Sequence, residues 1–233
     1  LIEISKKLNI DINIAIIKGD DILNSIDSLI KDGVSFENMD NGNDFDTIKN
    51  KVYSANAYID SFSIAKALDT GANIVLAGRV SDPGLVVGPA IYEFKWNKSD
   101  YDKIATATLA GHVIECGAQC SGGNFSGWEK ISDLVNIGYP IVTLSDSTNF
   151  TISKPEKSGG LINKYTVIEQ VLYEMGDPKN YISPDVIVDF TSFNISEKAD
   201  NLVEISGVKG YPPTDTYKVS INYFNGYKAA GQL

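Results

Sequence analysis

The sequence predicts an α/β protein: a largely parallel sheet flanked by helices, followed by a β-rich, partly antiparallel C-terminal portion. Three observations predict it. Short apolar runs alternate with helix-periodic segments through residue 178, as in 12–17 followed by 22–30, and such alternation is the pattern of strand–helix–strand units. Residues 73–77 are almost uniformly apolar, as in a strand covered on both faces of a parallel sheet. Beyond residue 178, apolar alternation recurs at 185–190, 202–208 and 217–223 with little helix between. The reading is one domain, with an α/β lobe over 1–178 and a β-rich portion over 179–233.

Residues 1–8 read as the tail of a helix and 12–17 as a strand. Ile22, Ile26, Leu29 and Ile30 then repeat at helical spacing, with Gly33 in the position that follows a helix C-cap. Residues 34–50, rich in Asn, Asp and Gly, are loop. A second strand is expected at 51–57, a helix at 59–70 stopped by Gly71, and a strand at 73–77. Asp82-Pro83 reads as an N-cap with proline at the first helical position, opening a helix over 85–96. Ser99 and Asp102 resemble a capping box for a helix running to about residue 116. Another helix is expected at 128–135, strands at 141–144 and 150–154, and a helix at 164–175 closed by Gly176-Asp177-Pro178. Asn225-Gly226 signals a hairpin after the strand at 217–223, with a return strand to Leu233. The chain therefore looks like part of a longer domain.

Composition narrows the function. The chain has 233 residues, 43% hydrophobic and 21% charged, with a net charge of -10. That balance lacks the basic face that nucleic-acid binding requires, and no apolar run is long enough to span a membrane. Two cysteines four apart make no disulfide framework, which points to a reducing, cytoplasmic setting.

The candidate chemistry gathers around residues 109–125, which hold the only histidine, both cysteines and a Gly-Gly-Asn turn. On a helix, His112, Glu115 and Cys116 share a face. His112 oriented by Glu115 is an acid/base pair; the alternative is a histidine satisfied within helix packing. Two metal ligands are available there, but a catalytic zinc needs a third and no second histidine exists, so no metal is expected. Cys116 near a helix C-terminus faces a dipole that disfavours a thiolate; with Cys120 it is expected to pack.

Arg79, at the carboxyl end of the third strand, suits a carboxylate or phosphate. Asp82 serves either as acid/base group or as N-cap, two roles competing for one side chain. Gly122, Gly123 and Asn124 form one glycine loop, and Gly159 and Gly160 a second, with Lys154 just ahead; exposed amides there would bind an anion, or the glycines simply turn the chain. Asp215 and Lys218 flank the entry to the last strand as binding groups, or as a turn cap and a solvated charge.

Several motifs occur in fixed order: GANIVLAGRVSD (71–82), LAGHVIECGAQCSGGNF (109–125), GGLI (159–162), EQVLYEMGDP (169–178), PDVIVDF (184–190) and PPTDTYKV (212–219). Together they resemble the acyclic terpene utilisation protein AtuA family over nearly the whole chain. The resemblance implies the central part of a longer domain, with a glycine-rich α/β start upstream. It also implies catabolism of citronellol- and geraniol-type compounds through acyl-CoA intermediates. It carries no established catalytic residues, so the roles above rest on chemistry.

Two functions fit. One is an enzyme acting on a branched acyl-CoA or carboxylate by proton transfer, of hydratase, lyase or isomerase type, needing no cofactor beyond a CoA thioester as substrate. The other is a non-catalytic partner subunit in an acyl-CoA carboxylase or hydratase pathway complex. The partners expected are a small carboxylate or acyl-CoA, and a second copy or a pathway protein; no nucleic acid and no membrane is expected.

Overall fold

The computed structural model describes residues 1–231. In chain order the elements are α1 (Ile2–Leu8), β1 (Ile14–Ile17), a 3-10 turn leading into α2 (Ile26–Lys31), a loop carrying two further 3-10 turns, β2 (Val52–Ala57), α3 (Ser61–Asp69), β3 (Ile74–Ala77), α4 (Gly84–Phe94) and α5 (Tyr101–Ile114). Then come β4 (Ile141–Leu144), β5 (Asn149–Ser153), α6 (Lys164–Leu172), β6 (Tyr181–Ile182), β7 (Ile187–Asp189), β8 (Asn194–Ala199), β9 (Leu202–Ser206), β10 (Lys209–Tyr211) and β11 (Val219–Tyr223).

The organising element is α5. From Ile104 to Val113 it is buried on every side, the property of a helix with no solvent face. Around it lie α4 and α6, the short sheet β10-β7-β6, and the four-stranded sheet β4-β5-β9-β8. The latter shows the expected strand alternation. Phe150 pairs with Ile205 and Ile152 with Val203 across β5 and β9, and all four point into the core. A second, smaller core joins Ile26, Phe45 and Ala55.

The sheets correct the expected topology. Among the described strands, β1 and β3 alone pair in parallel; β2–β11, β4-β5-β9-β8 and β10-β7-β6 are antiparallel. For the hairpins β4–β5 and β8–β9 the reason is connection length. Residues 145–148 join β4 to β5, and Asp200-Asn201 join β8 to β9, with Asn201 at φ 56. Links this short close hairpins, whereas a parallel pair needs a crossover of roughly a dozen residues. The apolar run of β3 also fails to indicate double-sided cover, since its last two residues are exposed.

Other local expectations shift for identifiable reasons. The helix expected at 128–135 is a single 3-10 turn, Trp128–Lys130. Downstream of it, Asp133 N and Ser132 Oγ donate to Gly159 O, and Asp133 Oδ1 accepts from the amides of Val135 and Asn136, so local side-chain bonds replace the helical ladder. The capping box at Ser99 does not form: Asp100 is the N-cap without a side-chain capping bond, and Asp102 instead accepts from Lys209 Nζ at 2.8 Å and Gly210 N at 3.0 Å. After Asn225-Gly226 no return strand forms through residue 231; residues 232–233 lie outside the described residues.

Candidate functional site

Two strand ends converge on Tyr58. The amide of Tyr58 donates to Lys218 O at 3.0 Å, and that of Ile59 to Arg79 O at 2.9 Å. The segment following β2 thus joins the β2–β11 pair to the β1–β3 pair, an arrangement extended by the parallel bridge Ile59–Val80. Asp20 locks the junction: its Oδ2 accepts from Arg79 N at 2.9 Å and from Asn56 Nδ2 at 2.9 Å. The bond from the Arg79 amide chiefly holds the Asp20 carboxyl below its usual range. Gly78 allows this closeness, because a Cβ there would lie 1.9 Å from Asp20 Oδ1.

The junction presents two cations on one ring. Arg79 Cζ lies 5.1 Å and Lys218 Nζ 5.4 Å from the Tyr58 centroid. At exposed positions each contact contributes about 0.5–1 kcal/mol. That is comparable to the repulsion of two unit charges several Å apart in water, about 1 kcal/mol or less, so the ring can hold both.

Tyr58 and Lys218 line a cavity of about 580 Å³ that also receives Asp60, Asp82, Lys98, Tyr181 and Asp215. Its apolar wall includes Met39, Pro83, Ile182, Pro213 and Tyr217. Asp60 caps α3 through Ser63 N. Asp82 caps nothing: α4 starts without a side-chain cap, and the exposed carboxylate of Asp82 faces the cavity free of structural duty. Of its two expected roles, the N-cap is therefore not the one it fills.

Below the cavity sits His112, with a side chain only 2% exposed. Val171 O lies 3.2 Å from Nε2; because a carbonyl can only accept, the proton is assigned to Nε2. Nδ1 approaches Glu115 Oε1 to 3.0 Å, yet the pair is poorly aligned, and among the described residues Nδ1 and Glu115 Oε2 have no hydrogen-bond partner. Gln170 Nε2 donates to His112 O at 3.0 Å. The imidazole packs against Tyr181 and Phe190, each 5.7 Å away, and these two rings stack at 4.9 Å. Tyr181 is therefore the group between His112 and the cavity. Burial, then the charges of Glu115, Asp82 and Glu174, push its phenol up from 10.0, so it stays a proton-bearing donor at neutral pH.

The family described as acyclic terpene utilisation family protein AtuA matches residues 1–233. The chain belongs to this family. No curated protein and no solved structure matches it. Membership in the AtuA family suggests a role in acyclic terpene utilisation. Among the described residues, no helix is long and apolar enough to cross a membrane.

The sequence-predicted residues of this AtuA chain fall into three places. Asp82, Asp215 and Lys218 meet at the cavity, with Arg79 beside them across Tyr58. His112 and Glu115 lie beneath Tyr181. The glycine loops lie elsewhere and pack on each other: Leu161 N donates to Ser121 O, and Gly159 and Gly160 donate to Asn136 O and Ile137 O. A Cβ on Gly160 would lie 2.4 Å from Ile137 O, and one on Gly122 2.5 Å from Ile131 Cδ1. Neither these residues nor Gly123, Asn124 and Lys154 line the cavity. Gly123 donates to Ala118 O, and Lys154 Nζ donates to Ser158 O at 2.7 Å. Both thiols are free, and burial raises both, Cys120 to about 12.

Sequence reasoning missed Tyr58, Asp60, Lys98 and Tyr181. The signal for Tyr58 and Asp60 was present: they follow β2 and lead into α3, the same strand-to-helix position that singled out Arg79 and Asp82.

Proposed function

We propose that the cavity is the active site of a catabolic enzyme of acyclic terpene or branched acyl-CoA/carboxylate degradation, working by proton transfer of the hydratase, lyase or isomerase type. The observation that carries this reading is the meeting of an uncommitted carboxylate, Asp82, with a partly buried phenol, Tyr181, in a cavity bordered by two cations. Asp82 is the base that removes a proton next to a thioester or carboxylate carbonyl. Tyr181 donates a hydrogen bond to the oxygen on which charge then develops. Arg79 and Lys218 hold an anionic part of the substrate, with Asp215 at the same rim, and the Pro and Tyr side chains take the branched chain. His112 and Glu115 act from below by setting the position of Tyr181.

The test is deuterium incorporation at the α-carbon of 3-methylbutanoyl-CoA and longer branched saturated acyl-CoA esters in D2O, read by mass spectrometry. A general base contributes roughly 10²–10⁴-fold, so Asp82→Asn is expected to slow exchange by at least about 100-fold. Exchange at the wild-type rate in that variant rules out Asp82 as the base.

One observation favours the alternative of a non-catalytic partner subunit in a carboxylase or hydratase complex. Ile2, Ile4 and Leu8 on α1, with Ile16 and Leu76 on the β1–β3 pair, are exposed apolar side chains, the kind of surface that associating proteins cover. Light scattering at micromolar concentration, alone and with pathway proteins, separates the cases: a monomer that binds none of them counts against the assembly role.

A further inference from the structure

Arg79 is the only arginine in a chain that otherwise carries nineteen lysines. Among the described residues, neither it nor Lys218 forms an ion pair, although the chain has thirty acidic side chains. Each is instead fixed through its own backbone carbonyl to Tyr58 or Ile59, and each cationic head rests on the Tyr58 ring. Two cations brought from distant strands flank one ring, neither within ion-pair distance of a carboxylate among the described residues, so both heads are free to turn to an external anion that reaches over Tyr58.

The geometry points to Tyr58 as the floor of an oxyanion clasp, with Arg79 and Lys218 as its arms and a phosphate or diphosphate as its occupant. This deepens the proposed function and rests on its reading of the cavity, naming the handle by which an acyl-CoA is held. Two arms match a group carrying two or more charges better than a single carboxylate. The guanidinium supplies a planar fork, and the ammonium supplies a point charge on a flexible stem. Asp60, Asp82, Glu174, Asp177 and Asp215 line the same cavity, with Lys98 3.8 Å from Asp60, and the excess negative charge turns an anion away from the rest of the wall and toward the Tyr58 end. Tyr58 is a positioning residue here: it acts through the two cations.

Calorimetric titration of the full chain with inorganic pyrophosphate, coenzyme A, dephospho-coenzyme A and 3-methylbut-2-enoate tests the clasp. Pyrophosphate and coenzyme A are expected to bind and compete, and the carboxylate to bind at least about tenfold more weakly. Dephospho-coenzyme A matching coenzyme A assigns the diphosphate as occupant; tenfold weaker binding assigns the 3′-phosphate. Arg79→Gln and Lys218→Gln, both exposed positions, are each expected to weaken pyrophosphate about tenfold, with the double variant losing less than the product. Tyr58→Phe should stay within about threefold of wild type, and Tyr58→Leu should fall about tenfold with unchanged circular dichroism. Wild-type affinity in the glutamine variants, equal affinity for the carboxylate, or no binding of either phosphate probe overturns the clasp. Asp82→Asn keeps the two proposals distinguishable. Retained pyrophosphate binding with no exchange from any thioester, even in wild type, overturns proton transfer alone. Undiminished thioester exchange in the Arg79→Gln/Lys218→Gln variant overturns the clasp alone.

Discussion

At the scale of single residues, the most demanding group outside the cavity is Asp185. It is 5% exposed and accepts from Ser61 N at 2.7 Å and Ser61 Oγ at 2.6 Å, tying the β6–β7 connection to the start of α3. Burial pushes its carboxyl up from 3.8 to about 6, against the pull of the Ser61 hydrogen bonds, with Asp60 adding to the rise and Lys98 opposing it. The folded protein therefore binds more protons than the unfolded chain between pH about 4 and 6. Stability from this group is greatest below the unfolded value, declines as pH rises through that window, and is flat above it. The cost at neutral pH is on the order of 2–3 kcal/mol. Asp185→Asn, whose amide can still meet both Ser61 groups, is expected to be at least as stable as wild type at pH 7. The difference should vanish or reverse near pH 4. Urea denaturation of both proteins at the two pH values checks this; parallel profiles would sink it.

At the scale of elements, close helix packing places the site. A Cβ on Gly88 of α4 would lie 2.6 Å from Ile64 Cβ of α3, and one on Gly111 of α5 would lie 2.6 Å from Pro83 Cα and 2.8 Å from Pro83 O. Gly111 thus lets α5 touch the turn that carries Asp82, while the next residue, His112, faces Tyr181. Backbone cannot yield as a flexible side chain does, so overpacking here costs about 1–3 kcal/mol. Gly111→Ala is expected to lower the urea midpoint by that equivalent and to slow thioester exchange by displacing Asp82. An alanine variant of unchanged midpoint and rate would show that the Pro83 turn is not held by this contact.

For the whole molecule, stability is concentrated on α5. Its ten residues Ile104–Val113 are buried, whereas α1 contributes no buried residue. Local opening follows such burial, so hydrogen exchange is expected to be slowest at the amides of 104–113 and fastest across 2–8. Comparable protection in both helices would contradict this division. The longest-range strand pair is β2–β11, and with β5–β9 it stitches the last third of the chain back onto the first two.

Local chemistry made much of this legible in the sequence. Apolar spacing and the glycines beyond them predict the helices of 61–69 and 164–172 at 59–70 and 164–175, and the structure adds their Asp60 and Asn163 caps. The strands at 52–57 and 202–206 follow from alternation, and the ordered motifs identify the AtuA family. The strand-end rule also picked out Arg79 and Asp82. What only the tertiary structure decided is which strands pair and, through that, which charges meet. Lys218 reaches Tyr58 because β11 lies against β2, and Arg79 reaches it because Ile59 bonds to the end of β3. No local propensity encodes such contacts, since they depend on pairing segments far apart in the chain. The glycine loops show the converse: identical local chemistry serves a ligand or a neighbouring backbone, and packing alone determined that here they meet each other.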